Sequence, residues 1–283
     1  MNILELKNHI EDFFEKEGYS YKDYPHLSNG MSACENYNTV YKIDRPPWFK
    51  GQPEFLRQTA QMMMELDVRS KKIDRVWTWG TSFRDEPKAG DGRHEREFDL
   101  VEFESLTSSD PIIAINHLIA LEKRFLDHIA SVYGFEFRFR EVSYEDTIFC
   151  TDLEFGDDID EEAEHFMLNR ERPVLHAIAI CNYPESLCHF TMSKGSGGTC
   201  QKVDVILAEG GETIGSAVRS HDPDYLKKRL YRSEMYSGLV LRGMPTDAFD
   251  EYFKVDLTTP AYGGGIGVGR LVKWIEHMTT VDK

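Results

Sequence analysis

Phe83-Arg84-Asp85-Glu86 and, a few residues later, Arg93-His94-Glu95-Arg96-Glu97-Phe98 are the stretch that decides the fold. An apolar segment containing valine and two tryptophans, residues 73–80, comes before it, and residues 98–103 form a second alternating segment after it. Two strand-like segments joined by a long polar connection with glycines predict an antiparallel hairpin with a charged tip. Arg84 follows the first strand directly, where a guanidinium group can form two hydrogen bonds to a phosphate or carboxylate.

A glycine-rich stretch near the C-terminus, Gly263-Gly264-Gly265-Ile266-Gly267-Val268-Gly269-Arg270, completes the pattern. Glycines allow a backbone to pass close to a ligand, and Arg270 falls in the first turn of a helix predicted for residues 268–277. The stretch is not the Gly-x-Gly-x-x-Gly of a βαβ unit, and it lacks the lysine of a P-loop. Together with Arg84, it indicates two arginines that converge on a nucleotide triphosphate.

Composition bounds the class of protein. The 283 residues are 41% hydrophobic and 12% aromatic, which is enough for one large domain, residues 1–283, with a substantial core. The formal net charge of −16 opposes binding to nucleic-acid phosphates. No uncharged run is long enough to span a bilayer, and the N-terminus lacks the apolar core of a signal peptide. Five cysteines without metal-finger spacing predict reduced thiols in a cytoplasmic protein.

Periodicity and caps predict the other elements. Helices are expected at residues 4–17, 53–66, 110–133, 223–236 and 268–277, and strands at residues 174–182, 188–192 and 202–207. Eight carboxylates within residues 152–164 predict a solvated loop that leads into a helix, because the spacing of a calcium loop is absent. The arrangement predicts an α+β domain, an antiparallel sheet flanked by helices.

The hairpin offers groups that suit a nucleotide. Glu86 lies two residues after Arg84 and therefore on the same face of an extended strand, where its carboxylate can accept from an adenine amino group. Arg93 and His94, at the end of the connection, can reach outer phosphates. A surface hairpin with solvated charges is the alternative at this point.

Paired carboxylates follow on other strands. Glu102 and Glu104 share one face of one strand, and because buried unpaired carboxylates are costly, a substrate ammonium group or a metal ion is expected beside them. Asp204 and Glu212 bracket a glycine turn, and small residues before Arg219 indicate close approach of a ligand. A tight hairpin with an incidental salt bridge is the alternative for this second region.

Taken together, these segments resemble the catalytic domain of class II aminoacyl-tRNA synthetases, most closely the aspartyl/asparaginyl branch. Residues 83–104 resemble motif 2 of that family, residues 263–271 resemble motif 3, and residues 203–222 resemble the region between them. The resemblance extends from about residue 27 to the end of the chain. It implies a class II synthetase-type antiparallel sheet flanked by helices, with ATP and Mg²⁺ as cofactors.

The resemblance also implies roles for individual residues. Arg84 would bridge the α-phosphate and the reacting carboxylate, and Arg270 would hold the γ-phosphate and cover the adenine. The other nucleotide contacts implied are Glu86, Phe98, Arg93, His94 and Glu212. The substrate contacts implied are Glu35, Glu54, Arg57, Glu102 and Arg219, and the magnesium ligands implied are Asp204 and Glu212.

Four positions depart from the family pattern. Glu54 stands where glutamine is usual, and Arg57 replaces the lysine of the aspartyl branch, which changes the geometry of a positive group. Leu100 removes a polar residue from the pocket wall, and Gly269 replaces an acidic residue before Arg270. These departures bear on the substrate more than on the fold or the use of ATP. Arg57 and Arg219 together favour a dicarboxylic amino acid.

The expected function follows from a further feature of the family. Its synthetases carry an N-terminal barrel that reads the anticodon, and because residue 1 lies so close to the catalytic domain, neither that barrel nor anticodon recognition is expected here. The chain then resembles ammonia-dependent asparagine synthetases, which adenylylate aspartate and then join the acyl group to ammonia, so that asparagine forms and AMP leaves. A homodimer is implied by the family. Two alternatives stay open: transfer of the acyl group to tRNA, a carrier protein or another amine, and a non-catalytic amino-acid sensor.

Overall fold

The computed structural model describes residues 1–28, 39–43, 55–87, 89–90, 94–107, 110–170, 174–243 and 246–281. Its helices are α1 (Ile3–Lys16), α2 (Gln61–Arg69), α3 (Pro111–Tyr133), α4 (Tyr144–Cys150), α5 (Glu161–Asn169), α6 (Pro223–Arg232), α7 (Glu234–Leu241), α8 (Ala248–Tyr252) and α9 (Val268–Val281). Its strands are β1 (Ser20–Tyr21), β2 (Leu27–Ser28), β3 (Phe55–Leu56), β4 (Arg75–Phe83), β5 (Glu97–Leu106), β6 (Phe139–Ser143), β7 (Ala177–Pro184), β8 (Thr199–Leu207), β9 (Gly211–Arg219) and β10 (Ala261–Gly267).

Eight strands form one sheet in the order β1-β4-β5-β10-β9-β8-β7-β6. The six central strands are antiparallel, whereas β1 pairs with β4 and β6 pairs with β7 in parallel. The predicted α+β class with a sheet flanked by helices is confirmed, and the sheet is mixed because of its two edges. The last strand of the chain, β10, lies between β5 and β9, so it joins the two hairpins.

The sheet has one face for the core and one for polar groups. Phe103, Val205 and Ile214 point to the main apolar core, where α1, α3 and α9 pack. Because side chains alternate along a strand, Glu102 and Asp204 point to the other face. Carboxylates from β5 and β8 therefore share the face that the three helices leave uncovered.

Caps fix the ends of the long helix as the sequence predicts. The side chain of Asp110 accepts a hydrogen bond from the Ile112 backbone N–H at 2.9 Å, and Pro111 occupies the first turn. The helix ends at Gly134, whose φ of 74° is the left-handed conformation that favours glycine. The predicted helix at residues 4–17 is likewise confirmed by α1.

Three predicted elements are wrong, each for a tertiary reason. The helix expected at residues 53–66 begins only at Gln61, because residues 55–56 pair with β2 as strand β3. The helix expected at residues 223–236 is two helices, since Ser233 has an extended ψ of 145° and caps α7. The strand expected at residues 188–192 does not form, because the Arg229 guanidinium binds carbonyl oxygens of Cys188 and His189 that a strand would need.

Candidate active site

A cavity of about 690 Å³ opens on the polar face of the sheet. Strands β5, β8, β9 and β10 contribute to its walls together with α2, the start of α9 and the residues that follow β4. It brings together nine of the residues predicted from the sequence, namely Arg84, Glu86, His94, Phe98, Glu102, Asp204, Glu212, Arg219 and Arg270. Residues from both glycine-bearing hairpins and from the C-terminal strand thus meet at one place.

Four predicted residues are not part of this group. Glu35, Glu54 and Arg93 lie outside the described residues. Arg57 lies outside the cavity lining and is 1% exposed, with its Nη1 donating to the Tyr24 carbonyl oxygen at 2.9 Å. Its guanidinium group fills the space beside Gly80, where a Cβ atom would lie 1.8 Å from Nη2. The structure therefore does not bring Arg57 to the cavity with the other predicted residues, because its guanidinium group binds the carbonyl oxygens of Tyr24 and Thr81.

The Arg84 side chain lies on the aromatic wall of the cavity. Its guanidinium carbon is 5.2 Å from the centre of the Phe98 ring, a cation–π distance. Across the hairpin, its backbone N–H donates to the Arg96 carbonyl oxygen at 2.9 Å. The Nε atom of Arg84 is buried and has no hydrogen-bond partner among the described residues. A buried charged donor without a partner is costly, so this nitrogen is available for an anionic ligand.

Positive groups gather on this wall although the chain as a whole is acidic. Arg270 is on the first turn of α9 and donates to the carbonyl oxygen of Glu212, which ties the helix start to β9. Lys273, one turn further along α9, and Lys202 on β8 also line the cavity. The sequence reasoning did not identify either lysine. The spacing of Arg270 and Lys273 on one helix is the signal that could have revealed Lys273.

Asp204 and Glu212 converge over Gly215. A Cβ atom at Gly215 would lie 3.4 Å from Glu212 Oε1 and 3.7 Å from Asp204 Oδ1. Burial raises the pKa of Glu212 to about 7, and the nearby Asp204 adds to this effect. Burial also raises the pKa of Asp204, although the ion pair with Lys202 opposes the rise. A cation beside two adjacent carboxylates favours their charged forms.

The carboxylate pair fits a magnesium ion that phosphate groups would complete. Asp204 Oδ1 is buried without a hydrogen-bond partner among the described residues. No group of three or more side chains suited to a metal occurs in the described part of the chain. Magnesium is commonly held by one or two carboxylates together with substrate phosphates. Asp204 and Glu212 provide that number of protein ligands.

Glu102 lies at the floor of the cavity and is fully buried. Both of its oxygens are 2.9 Å from the Ala60 backbone nitrogen, and the Thr59 hydroxyl also donates to it. Burial raises its pKa, while these donors act in the opposite direction. The residues that lead into α2 therefore orient this carboxylate.

Arg219 is already paired at the end of the cavity. Its Nε and Nη2 each lie 3.1 Å from an oxygen of Glu104, and Nη2 also contacts Gln61 Oε1. A second buried pair lies nearby, since Arg69 Nε is 2.7 Å from Glu65 Oε1. The positive and negative charges at this end are therefore balanced. The sequence analysis noted Glu104 without giving it a role, and it did not identify Gln61 or Glu65. The four-residue spacing of Glu65 and Arg69 on α2 is a sequence signal for the second buried pair.

The sheet, the hairpin arginine and the C-terminal arginine define a class II synthetase catalytic core. The chain belongs to the family described as tRNA synthetases class II (D, K and N), whose sequence model matches residues 4–283. The resemblance to the aspartyl/asparaginyl branch is thereby confirmed. No helix in the described ranges has the length and apolar character needed to cross a membrane.

Individual relatives belong to the same branch. The chain is 26% identical to an asparagine–tRNA ligase of Thermoplasma acidophilum, over 99% of this chain and 67% of the relative. The asparaginyl-tRNA synthetases of Pyrococcus horikoshii and Entamoeba histolytica, each solved in complex with asparaginyl-adenylate, share the fold with a TM-score of 0.75 at 22% and 21% identity. They cover 97% of this chain, which spans 64% and 63% of theirs. The chain thus matches about two thirds of the length of these relatives.

Proposed function

We propose that the chain activates asparagine with ATP as an aminoacyl adenylate and transfers the acyl group to tRNA. The observation that carries this proposal is the meeting of Arg84 and Arg270, distant in sequence, in one cavity with Asp204 and Glu212. Membership of the family supports adenylate formation. Similarity to asparagine–tRNA ligases supports both the amino acid and the acceptor.

In the first step, a carboxylate oxygen of the amino acid attacks the α-phosphorus of ATP and pyrophosphate leaves. Arg84 would bind the oxygens on which negative charge develops, and a fixed charge of this kind lowers the barrier. Glu86 and Phe98 would contact the adenine, and His94 and Arg270 the outer phosphates. In the second step, a hydroxyl group of the acceptor attacks the activated carbonyl and AMP leaves.

Magnesium would be held by Asp204 and Glu212, and when bound it would offset the charge of the phosphates. Glu102, oriented by Ala60, would accept from the substrate ammonium group. These assignments stay proposals for residues that line the cavity.

The balanced charges at the end of the cavity favour an amide over an acid. Arg219 is neutralised by Glu104, so a substrate carboxylate there would add an uncompensated negative charge. A carboxamide can accept from the guanidinium group through its oxygen and donate through its nitrogen. With Arg57 outside the lining, the argument for a dicarboxylic amino acid loses one of its two arginines.

Pyrophosphate exchange tests the first step. We expect exchange that depends on asparagine and is at least about tenfold slower with aspartate. Arg84→Ala should lower the exchange rate by about 100-fold or more, because one charge-stabilising donor is worth that much. Arg138→Ala, at a residue outside the cavity lining, is the matched control and should leave the rate unchanged. Background exchange with every amino acid would contradict the proposal and favour a non-catalytic role.

The net charge of −16 favours a second candidate, in which a small amine rather than RNA accepts the acyl group. In that case aspartate is activated, ammonia attacks the carbonyl, and asparagine and AMP are released. Mass spectrometry after incubation with ATP, magnesium, aspartate and labelled ammonium distinguishes the two. Labelled asparagine would support the second candidate, and acylated tRNA from asparagine would support the first. A homodimer and a cytoplasmic location stay predictions.

A further inference from the structure

Lys202 places a positive charge beside the carboxylate pair of Asp204 and Glu212. It lies two residues before Asp204 on β8 and therefore on the same face of the sheet. Its Nζ atom is 2.8 Å from Asp204 Oδ2 and 4.2 Å from the centre of the Tyr183 ring. Its side chain is only 17% exposed and lines the cavity. An ammonium group held by both a carboxylate and an aromatic face has a defined position rather than a solvated one.

The ion pair with Lys202 involves only one of the two carboxylate oxygens of Asp204. Oδ2 binds Lys202, whereas Oδ1 is buried without a described partner and faces Gly215 beside Glu212 Oε1. With Lys202 included, two ionised carboxylates and one ammonium carry a net charge of −1 instead of −2. Two carboxylate oxygens on the Gly215 side of the site can therefore bind a cation, but the charge of Lys202 weakens their electrostatic attraction for it.

We propose that the ammonium group of Lys202 positions Asp204 and lowers the affinity of the carboxylate pair for a divalent ion when no nucleotide is bound. The ammonium group binds Asp204 Oδ2 and lies over the Tyr183 ring, so that Oδ1 is the oxygen of Asp204 that faces Gly215. A divalent ion then binds firmly only when phosphate oxygens add their charge and complete its ligands. The part that concerns the nucleotide rests on the proposed function, whereas the effect of Lys202 on metal binding does not.

Removal of the Lys202 charge should strengthen metal binding in the absence of nucleotide. A unit charge a few ångströms from a bound ion, at a dielectric between those of water and a protein surface, changes the affinity by about tenfold or more. Lys202→Met keeps an unbranched apolar side chain against Tyr183 and removes the charge. Lys202→Arg keeps the charge and is the matched control.

Titration with Mn²⁺ alone, with free Mn²⁺ counted by electron paramagnetic resonance, tests this on the nucleotide-free protein. We expect Lys202→Met to bind one Mn²⁺ at least about tenfold more tightly than the wild type, and Lys202→Arg to bind as weakly as the wild type. Adding Asp204→Asn to Lys202→Met should abolish the gain. Equal affinity in the wild type and Lys202→Met would overturn the proposal.

Two further measurements keep the outcomes distinct. Thermal unfolding with and without Mn²⁺ should show a stabilising shift for Lys202→Met that exceeds the shift of the wild type, and Lys202→Gln serves in its place if Lys202→Met does not fold. The absence of such a difference also overturns the proposal. Pyrophosphate exchange is measured separately: if the wild type shows none, the proposed function fails while the metal-binding result stands.

Discussion

At the scale of the residue, Glu122 is a buried carboxyl group that lies outside the cavity lining. It lies on α3 and is 2% exposed. Burial raises its pKa to about 8; Asp204 adds to the rise, and the Ser216 hydroxyl opposes it. The folded protein therefore holds a proton on Glu122 at neutral pH that the unfolded chain, with an ordinary carboxyl pKa near 4.5, releases.

This difference predicts a pH dependence of stability. Because the folded pKa is the higher one, the free energy of unfolding should fall as the pH rises from about 4.5 to about 8, by up to roughly 1.4 kcal/mol per pH unit. Glu122→Gln cannot ionise and should flatten this part of the profile. Urea unfolding between pH 5.5 and 8.5 measures it, with the exposed Glu136 changed to Gln as control. Parallel profiles for the wild type and Glu122→Gln would contradict the assignment.

At the scale of the element, β10 depends on the absence of side chains at its glycines. It lies between β5 and β9, and Gly263 is opposite Glu104 on one side and Ala217 on the other. A Cβ atom at Gly263 would lie 2.0 Å from Glu104 Oε2 and 2.4 Å from the Phe103 carbonyl oxygen. The glycine run, which in sequence resembles a ligand-binding loop, is therefore a central strand that needs close contact with its neighbours.

The crowding of β10 predicts opposite results for two glycines. Gly263→Ala should lower the free energy of unfolding by about 1 to 3 kcal/mol, because the added methyl group overlaps a carboxylate and a backbone oxygen. Gly269→Ala, in α9, meets nothing within 4 Å and should be neutral or stabilising by up to about 0.5 kcal/mol. Chemical denaturation of both variants measures the difference. Equal effects would show that β10 adjusts to a side chain.

At the scale of the whole molecule, one core connects the beginning and the end of the chain. Trp77 from β4 and Trp274 from α9 are both fully buried in the apolar cluster that also contains residues of α1 and α3. The cavity lies on the other face of the same sheet, so its walls cannot separate without breaking strand pairs. A site assembled in this way depends on the integrity of the entire sheet.

The shared core predicts cooperative unfolding, which also tests the expectation of a single domain. Far-UV circular dichroism should report the same midpoint as tryptophan fluorescence, because Trp77 and Trp274 lie in the core that packs on the sheet. ATP with magnesium should raise both midpoints together, since ligand binding stabilises the native state as a whole. Two separated transitions would contradict a single cooperative unit.

The class of fold and several residues that line the cavity could be predicted from local sequence patterns. Arg84 and Arg270 were identifiable because each follows a strand signal directly and the relevant neighbours are local, a charged loop for one and glycines for the other. The cap of α3 at Asp110 was predictable for the same reason, since a cap depends on residues a few positions apart.

The partners of the other charged groups depend on contacts between residues that are distant in the sequence. Arg57 and Arg219 are the same residue type, yet one binds the Tyr24 carbonyl oxygen outside the cavity and the other pairs with Glu104 at its end. The pairing of Lys202 with Asp204 beside Tyr183 likewise depends on how β7 and β8 meet. Whether a charge is free for a ligand depends on groups distant in the sequence, because only their approach in the folded chain sets burial and neutralisation.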